Sequence, residues 1–496
     1  MASSQHLIAI DLGSSSGSIQ LGRFDGQQLR IEECHEFTNR PVRYESSWHW
    51  NIHALWENLQ EGLQHACAQA SPKTLGVATW GVDYGLVDRT GELLGGVRSH
   101  RDPRTEVSYN WVFQRVSREE IYASTGIMFN VLNTLPQLAA DLRDRPEVFE
   151  AADGLLMLPD LFNAFLTGTQ RNERTAACTS QLLDVRRQEF DHLLMQRLGL
   201  PGHLSRPLID PGTVLGPLLP GIRSRLDLPE LQVVATASHD TAAAVAAAPA
   251  TSGKPWAFIS AGTWSLLGME RGTPDLSATS LHGNFSNETG VERKILYQKI
   301  LCGLWLVQEC RRSFALAGDE HSFPELMDLA RQGKPLTFWF DPDHPDFLNP
   351  DDMPQTIREH LRRHGRPVPE QPADLLRGIY ESLALNHTYT LRQMEEILGE
   401  SAETIHIVSG GSQAELLCQW TADASDTPVV AGPGEATICG NLLVQLMAQG
   451  ELKNLEEGRE LIRASFPPRI HEPQGTAAWR EASQAFATLK RTGTHP

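Results

Sequence analysis

Apolar and polar residues alternate at the start of the chain in a pattern that predicts a β-meander. Residues 7–10 form a short apolar run that ends at Asp11-Leu12-Gly13, and residues 19–24 alternate with a period of two. Asp25-Gly26 is a dipeptide typical of hairpin turns, so a third strand is expected over residues 29–37. The first forty residues are therefore predicted to form three meandering strands.

Helix-then-strand units follow the meander. Residues 53–70 carry apolar side chains at helical spacing, and residues 75–80 form an apolar run typical of a buried strand. Farther along, the apolar run 233–237 leads into Ser238-His239-Asp240-Thr241 at the start of an Ala-rich helix. This order of elements predicts an α/β fold with a mixed sheet.

The second half of the chain repeats the plan of the first half. Residues 258–268 pass from an apolar strand through a Gly and hydroxyl residues to a second apolar strand, as residues 8–22 do. The match is short, so a chance similarity is the alternative. The stretch 249–255 is predicted to be a surface loop at a domain boundary, which gives two domains, residues 1–248 and 249–496.

Composition excludes several classes of partner. The 496 residues are 41% hydrophobic and 21% charged, which is ordinary for a folded globular protein. With 43 Lys and Arg against 61 Asp and Glu, the formal net charge is -18, so phosphate backbones and anionic lipid surfaces are poor partners. No signal peptide or membrane-spanning run is visible, and the seven cysteines show no metal-binding spacing. A cytoplasmic protein with free thiols is therefore expected.

Turns rich in Gly and Ser are candidate phosphate sites. Gly13-Ser14-Ser15-Ser16-Gly17-Ser18 joins two predicted strands, and its small residues let backbone N–H groups converge on an anion. Asp11, at the end of the first strand, is a candidate Mg²⁺ ligand through water. Gly262-Thr263-Trp264-Ser265 offers the same donors, and Gly410-Gly411 permits close approach to a flat adenine, with Ser412 as the predicted helix N-cap. Plain turns without a ligand are the alternative.

Asp240 is the candidate catalytic carboxylate. It follows the predicted strand 233–237, where it can accept a proton from a hydroxyl group. Adjacent side chains diverge around the backbone, so Ser238-His239-Asp240 is not interpreted as a hydrolase triad. A helix N-cap is the structural alternative for Asp240. The chain has no P-loop sequence and no G-x-G-x-x-G after a strand, which disfavours kinases of the P-loop and dinucleotide-binding folds.

The acidic residues of the segment 341–346 suggest a calcium-binding loop at first sight. It lacks the Gly and the distal Glu of an EF-hand, and its prolines limit the convergence of ligands, so it is predicted to be a solvated loop. The eighteen histidines show no H-E-x-x-H pattern. No structural metal is therefore predicted.

The ordered set of motifs resembles the FGGY carbohydrate kinases over residues 8–451. The stretches that carry the resemblance are Asp11-Leu12-Gly13-Ser14-Ser15-Ser16-Gly17, Thr79-Trp80-Gly81-Val82-Asp83, Arg101-Asp102-Pro103-Arg104-Thr105, Ser238-His239-Asp240-Thr241-Ala242, Ser260-Ala261-Gly262-Thr263-Trp264-Ser265 and Ser409-Gly410-Gly411-Ser412-Gln413. Each motif alone is common, whereas the complete order is specific. The resemblance implies two actin-like (ribonuclease H-like) lobes, with ATP and sugar in the cleft between them.

The resemblance also implies a reaction and a set of residues. A kinase of this kind would use ATP to phosphorylate the 1-hydroxyl of a ketose, with L-rhamnulose as the expected substrate and L-fuculose or L-xylulose as alternatives. Asp240 would accept the proton, and Asp11 would lie near Mg²⁺. The residues implied in ATP binding are Ser14, Ser15, Ser16, Gly17, Ser18, Thr263, Gln308 and Gly410. The residues implied in sugar binding are Gly81, His239, Asp240, Thr241 and Ile300.

Two positions depart from the family pattern. Ser18 stands where the related kinases usually have Arg, which removes one cationic phosphate contact. Ile300 stands where a sugar-contacting Asn is usual, unless the alignment shifts by one residue, and an apolar side chain cannot hydrogen-bond a hydroxyl. A non-catalytic sugar sensor with the same lobes is a remote alternative. The expected partners are a ketose and ATP, without nucleic acid or membrane, in a monomer or homodimer.

Overall fold

Strands follow the apolar runs of the sequence, and most helices carry apolar side chains every three to four residues. The computed structural model describes residues 5–475 and 477–492. The strands are β1 (Gln5–Leu12), β2 (Ser16–Phe24), β3 (Leu29–Thr38), β4 (Val42–Tyr44), β5 (Ser47–His49), β6 (Thr74–Thr79), β7 (Tyr84–Val87), β8 (Leu93–Leu94), β9 (Gly154–Met157), β10 (Asn172–Glu173), β11 (Leu183–Asp184), β12 (Glu189–Phe190), β13 (Leu208–Ile209), β14 (Thr213–Pro217), β15 (Gln232–Ala235), β16 (Trp256–Ala261), β17 (Trp264–Arg271), β18 (Ser286–Thr289), β19 (Ile295–Cys302), β20 (Thr404–Val408), β21 (Val429–Ala431) and β22 (Arg469–His471). The helices are α1 (Ile52–Gln69), α2 (Ser108–Phe113), α3 (Arg118–Thr125), α4 (Thr134–Asp144), α5 (Pro146–Ala151), α6 (Leu158–Thr167), α7 (Arg174–Ala177), α8 (His192–Arg197), α9 (Pro220–Leu226), α10 (Asp240–Ala246), α11 (Ala278–His282), α12 (Trp305–Leu316), α13 (Phe323–Gln332), α14 (Met353–Arg363), α15 (Pro372–Leu398), α16 (Glu415–Ser425), α17 (Ala436–Ala448), α18 (Leu455–Ser465) and α19 (Ala477–Thr492).

Helix α1 illustrates how the sequence forms these elements. Its N-cap Asn51 accepts a hydrogen bond from the Ala54 N–H through Oδ1 at 3.1 Å. Leu55 and Leu59 lie one turn apart on its buried face. The helix predicted over residues 53–70 is therefore confirmed.

The chain folds into two compact units. The first comprises the described residues up to Ala247 together with residues 270–297 and 436–466, and the second comprises residues 248–269, 298–435 and those from 467 onward. The first unit therefore includes two segments from the second half of the sequence. The division into two domains, residues 1–248 and 249–496, was drawn from the sequence and stays a prediction.

The first unit is built on a six-stranded sheet with the strand order β14-β15-β6-β1-β2-β3. β1, β2 and β3 are antiparallel neighbours, which confirms the predicted meander. β6 runs parallel to β1 and β15 runs parallel to β6, while β14 closes the edge in antiparallel orientation. Apolar side chains from α1 and α6 pack with this sheet in one hydrophobic core.

The second unit carries the same strand topology. β16 and β17 form an antiparallel hairpin, as β1 and β2 do in the first unit. β20 runs parallel to β16, β21 runs parallel to β20, and β22 is antiparallel to β21. In each unit, the first strand of the hairpin is followed across the sheet by two strands that run parallel to it. The repeat predicted from residues 8–22 and 258–268 is therefore confirmed in the strand order.

Helix α17 lies late in the sequence but packs in the first unit. Asn441 Nδ2 donates a hydrogen bond to the Gly76 carbonyl oxygen at 3.0 Å, and Gln445 Nε2 donates one to the Ile8 carbonyl oxygen at 2.9 Å. These amides thereby fasten the helix to the parallel strands β6 and β1. No periodicity in the sequence predicts this long-range pairing.

The acidic segment 341–346 is not a solvated loop, contrary to expectation. Asp341 is buried and accepts a hydrogen bond from Lys490 Nζ at 2.8 Å. Asp343 accepts one from the Cys302 backbone N–H at 2.7 Å. A lysine from the distant helix α19 therefore compensates the acidic charge, and that lysine could not be paired with the segment from sequence alone.

Two expectations about the whole chain concern cysteines and membrane spans. All seven cysteines are free thiols, as expected. Within the described residues, no helix combines the length and apolar character that a membrane crossing needs.

Candidate active site

The hairpin of the first unit presents the residues predicted to bind phosphate. The turn between β1 and β2 comprises residues 13–15, which include Ser14 and Ser15, and residues 16–18 begin β2. A Cβ on Gly17 would lie 2.3 Å from the Phe37 ring, so a larger residue here must displace that ring. The hydroxyl groups of Ser15 and Ser16 are exposed at this turn.

A cationic and an anionic side chain lie near this turn. Arg101 Nη2 is 3.5 Å from Ser14 Oγ, which is a long contact. Asp11 pairs with Ser18 across β1 and β2, and its side chain is half-buried at the end of β1. Carboxylate oxygen is the kind of ligand that Mg²⁺ prefers, so the donor chemistry at Asp11 fits that ion.

Asp83 is the centre of a buried polar cluster beyond the end of β6. Its Oδ2 accepts hydrogen bonds from Trp50 Nε1 at 2.5 Å and from Trp80 Nε1 at 2.8 Å. His100 Nδ1 lies 2.8 Å from the same oxygen. Burial alone would raise the pKa of Asp83, but the His100 imidazole and the two indole donors outweigh it and lower the pKa. The cluster fixes the backbone that carries Gly81.

Gly81 and Val82 form a strained backbone step beside His239. Val82 has a φ of +67°, in the left-handed region that a β-branched residue rarely adopts. Its N–H donates to Thr179 Oγ1 at 3.0 Å, and its carbonyl oxygen accepts from Thr134 Oγ1 at 2.6 Å. A Cβ on Gly81 would lie 3.0 Å from His239 Nε2. The structure thus brings together two of the predicted sugar-binding residues.

Asp240 is the first residue of α10, and His239 occupies the N-cap position. The helix-cap alternative for Asp240 is therefore wrong. Asp240 Oδ1 accepts a hydrogen bond from the Thr241 N–H at 2.6 Å, and the side chain is 33% exposed. The carboxylate is fixed through one oxygen and reaches solvent, as a proton acceptor for a bound hydroxyl must.

His239 lies between two carboxylates. Its Nε2 is 3.3 Å from Asp240 Oδ1, and its Nδ1 is 3.5 Å from Glu288 Oε2. Glu288 is buried on β18, and its other oxygen accepts a hydrogen bond from Ser286 Oγ at 3.1 Å. Sequence reasoning missed Glu288, because it lies 49 positions after His239 in a segment without a recognisable motif.

A second buried carboxylate supports the backbone below His239. Glu173 accepts hydrogen bonds from the Ser238 N–H at 3.1 Å and from the Thr175 hydroxyl. That hydroxyl in turn accepts a hydrogen bond from the His239 N–H at 3.1 Å. Burial raises the pKa of Glu173 to about 7 in spite of these donors. Sequence reasoning missed this residue as well.

The hairpin of the second unit brings Thr263 and Gln308 together. Thr263 Oγ1 donates a hydrogen bond to Gln308 Oε1 at 3.2 Å. The Leu304 N–H donates to the Gly262 carbonyl oxygen at 2.9 Å. A Cβ on Gly303 would lie 2.7 Å from that same oxygen, so glycine is required where the strand leading to α12 meets the hairpin.

Gly410 lies in a tight turn at the end of β20. Residues 410–413 form a 3-10 turn, and α16 begins at Glu415 with Ala414 as its N-cap. Ser412 is therefore not the N-cap, contrary to expectation, because the intervening turn delays the helix and buries its side chain. A Cβ on Gly411 would lie 2.3 Å from the Ala261 Cβ, which brings this turn against the end of β16.

The predicted residues fall into two groups, one in each unit. Asp11, residues 14–18, Gly81 and residues 239–241 belong to the first unit. The members in the second unit are Thr263, Ile300, Gln308 and Gly410. Ile300 is half-buried on β19.

Solved structures that share this fold include several carbohydrate kinases. Gluconate kinase from Lactobacillus acidophilus matches with a TM-score of 0.80 at 13% identity, over 99% of this chain and 98% of that chain. Xylulose kinase from Rhodospirillum rubrum matches with a TM-score of 0.80 at 17% identity, over 98% and 99%. Plasmodium falciparum glycerol kinase with ADP matches with a TM-score of 0.76 at 12% identity, over 99% of each chain. The α/β fold of actin-like sugar kinases is thereby confirmed.

Family models define the class of protein. The N-terminal domain model of the FGGY family of carbohydrate kinases matches residues 6–247, and the C-terminal domain model matches residues 257–449. The chain belongs to the FGGY family of carbohydrate kinases, as its motifs indicated.

Similar relatives within the family carry the name rhamnulokinase. The protein from Bacteroides thetaiotaomicron is 39% identical over 488 residues, which cover 98% of this chain and 100% of the relative. The protein from Pectobacterium atrosepticum is 36% identical over 499 residues, with coverages of 99% and 98%. The protein from Bacillus subtilis is 35% identical over 467 residues, with coverages of 94% and 95%.

Proposed function

We propose that this chain is an ATP-dependent rhamnulokinase, which transfers the γ-phosphoryl group of ATP to the 1-hydroxyl of L-rhamnulose. The products are ADP and L-rhamnulose 1-phosphate. The observation that carries the proposal is the 39% identity to a rhamnulokinase over 98% of the chain. The free thiols suit the reducing cytoplasm, where ATP is available, and we place the activity there.

Asp240 acts as the general base in this proposal. Its carboxylate accepts the proton of the 1-hydroxyl, while the oxygen of that hydroxyl forms a bond to the γ-phosphorus and the bond from phosphorus to the β–γ bridging oxygen breaks. The Thr241 N–H holds one carboxylate oxygen, so the base does not rotate away from the substrate. His239, Gly81 and Thr241 bind the ketose.

The remaining sugar contact is proposed for Ile300. A 6-deoxyketose such as L-rhamnulose carries an apolar methyl group, and an aliphatic side chain suits that group better than it suits a hydroxyl. This chemistry accounts for an apolar residue at a position where the family usually has Asn.

The hydroxyl turns bind ATP in this proposal. The phosphate contacts come from Ser14, Ser15, Ser16, Gly17, Ser18 and Thr263, and the remaining nucleotide contacts come from Gln308 and Gly410. Asp11 would hold Mg²⁺ through water, and this ion would neutralise negative charge on the phosphates of ATP. Arg101, whose guanidinium lies beside Ser14, supplies the cation that Ser18 does not.

A coupled ADP-release assay tests the proposal. The full-length protein is given Mg²⁺, ATP and, one at a time, L-rhamnulose, L-fuculose, L-xylulose and D-xylulose, and the phosphorylated carbon is located by NMR. We expect the highest kcat/KM with L-rhamnulose and phosphate on C1. A higher value with another ketose would make the protein a different FGGY kinase. ATP binding without turnover of any ketose would favour a sugar sensor.

A further inference from the structure

A cluster of two imidazoles and one carboxylate lies in the second unit and contains none of the residues assigned above. His344 Nδ1 is 3.3 Å from Asp346 Oδ2, and His360 Nδ1 is 2.9 Å from the same oxygen. The centroids of the two imidazole rings are 4.5 Å apart. We propose that His344, Asp346 and His360, called here the His–Asp cluster, bind a divalent transition-metal ion of the Zn²⁺ type.

The spacing of the donor atoms supports a tetrahedral metal. Zn²⁺ bonds of about 2.0–2.1 Å to nitrogen and oxygen place neighbouring ligand atoms about 3.3 Å apart in a tetrahedron. The two nitrogen-to-oxygen separations of 3.3 and 2.9 Å are close to that spacing, and the donor atoms of the three residues all lie within 4.8 Å of one another. Imidazole nitrogen favours Zn²⁺ over Mg²⁺ or Ca²⁺, and Zn²⁺ also accepts carboxylate oxygen. The cluster is therefore chemically distinct from the proposed Mg²⁺ position at Asp11.

The cluster is held in place by its surroundings. His360 is buried on α14, and the Phe347 ring packs against it with ring centroids 5.0 Å apart. His344 and Asp346 lie on the loop before that helix, with about a quarter of each side chain exposed. The cluster therefore combines one buried ligand with two ligands that are partly exposed to solvent.

Metal binding replaces three existing contacts, one of which is the hydrogen bond between His360 Nδ1 and Asp346 Oδ2. The Asp346 N–H donates to His344 Nδ1 at 3.2 Å, and the Arg363 guanidinium pairs with Asp346 Oδ2. The Arg363 side chain is 57% exposed, so it can turn into solvent when an ion takes its place. His364 follows one turn after His360, with ring centroids 4.3 Å apart, and is the nearest candidate for a fourth ligand.

A second group of similar composition provides an internal comparison. In the first unit, Glu61 Oε2 lies 4.0 Å from His35 Nε2, and Glu61 Oε1 lies 3.9 Å from His65 Nε2. Glu61 and His65 are about half exposed, so ordering them around an ion costs more side-chain entropy. The wider spacing and higher exposure favour the His–Asp cluster.

A bound ion would stabilise the second unit. The loop that carries His344 also carries Asp343, which accepts a hydrogen bond from the Cys302 N–H at the end of β19. Asp343 also pairs with Lys490 of α19 at 3.1 Å. An ion that joins this loop to α14 therefore ties three elements together.

Metal titration of the full-length protein tests the proposal. The protein is prepared without a polyhistidine tag, stripped with a chelator, and titrated with Zn²⁺ by calorimetry and with Co²⁺ by visible absorption. We expect one Co²⁺ per chain with the intense bands of a four-coordinate site, and a higher melting temperature with Zn²⁺. His344→Gln is expected to weaken binding at least ~10-fold, as loss of metal-site partners usually does.

Two further variants keep the test decisive. Asp346→Asn keeps the shape of the side chain and removes its charge, so it replaces His344→Gln if that variant does not fold. The matched control is Glu61→Gln, which is expected to leave binding unchanged. Absence of a bound ion, unchanged affinity in both ligand variants, or loss of binding in the control would each overturn the proposal.

Discussion

Asp240 carries the chemistry of the proposed reaction in a single carboxylate that is 33% exposed. Asp240→Asn keeps the size of the side chain but cannot accept the proton, so we expect kcat to fall ~100-fold or more. Calorimetry should show that ATP and L-rhamnulose still bind. The control is Asp227→Asn, at an exposed position with a φ of +52° that Asn tolerates. Near-normal turnover in Asp240→Asn would remove this residue from the mechanism.

We expect Glu288 to act through His239 rather than on the substrate. Its carboxylate lies 3.5 Å from His239 Nδ1, and Glu288→Gln removes the charge that orients the ring. Because His239 is a proposed sugar contact, we expect the KM for the ketose to rise about tenfold, the value of a charge-assisted contact, with an unchanged KM for ATP. Steady-state kinetics with each substrate varied in turn distinguishes this outcome from general destabilisation. Equal increases in both KM values would contradict the positioning role.

The candidate residues that could be predicted from sequence lie in contiguous motifs. Asp240 follows a recognisable strand, and residues 13–18 contain their own turn signal. Glu288 and the donors to Asp83 reach their partners only through the tertiary fold, so no local pattern reveals them. Ser412 was mispredicted for a local reason, because a 3-10 turn and an αR helix start can follow the same Gly-Gly-Ser sequence.

At the scale of elements, α10 and α17 pack so closely that their contact depends on one glycine. A Cβ on Gly440 would lie 1.8 Å from the Ala243 carbonyl oxygen, which is backbone and cannot turn aside. Gly440→Ala must therefore separate the two helices, and we expect a loss of roughly 1–3 kcal/mol in the free energy of unfolding. Urea unfolding measures this loss.

A matched glycine controls for helix propensity. Gly221 is exposed in α9, and a Cβ there would meet no described atom within 4 Å. Gly221→Ala is expected to be neutral or slightly stabilising, because alanine restricts the unfolded chain and favours helix. If Gly440→Ala unfolds at the same urea concentration as Gly221→Ala, the close packing of α10 and α17 is not a source of stability.

The strand order was easier to predict than the helix packing. The hairpins β1–β2 and β16–β17 have short turns and alternating residues, so their pairing is encoded within about twenty positions. α17 contacts β1 and β6 across more than 350 positions, through Asn441 and Gln445. The spacing of apolar residues carries no information about polar side chains that hydrogen-bond to a distant strand. The sequence pattern therefore did not predict that this segment joins the first unit.

For the whole molecule, several buried carboxyl groups contribute to how stability depends on pH. Burial raises the pKa of Glu173 in the first unit and of Glu381 in the second unit to about 7. Between pH 4.5 and 7 the folded chain therefore binds more protons at these sites than the unfolded chain does. Their contribution to stability is complete below about pH 4.5 and is lost as the pH rises through 7. Asp83 has the opposite effect, because its pKa is lowered. Its contribution to the stability of the protein is complete above the ordinary pKa of 3.8 and is lost as the pH falls below that value.

Glu173→Gln tests whether ionisation of Glu173 lowers the stability of the protein as the pH rises. A neutral amide does not titrate, so we expect the fall in unfolding free energy between pH 5 and 8 to be smaller than in the unmodified protein, by up to about 3 kcal/mol. The comparison uses the slope with pH rather than the stability at one pH, because the amide also disturbs the hydrogen bond from Ser238. Urea unfolding at pH 5, 6, 7 and 8 gives the slope, and Glu106→Gln at an exposed position is the control. An identical slope in Glu173→Gln and the unmodified protein would show that Glu173 remains ionised throughout this range, and the backbone below His239 would then rest on a charged acceptor at every working pH.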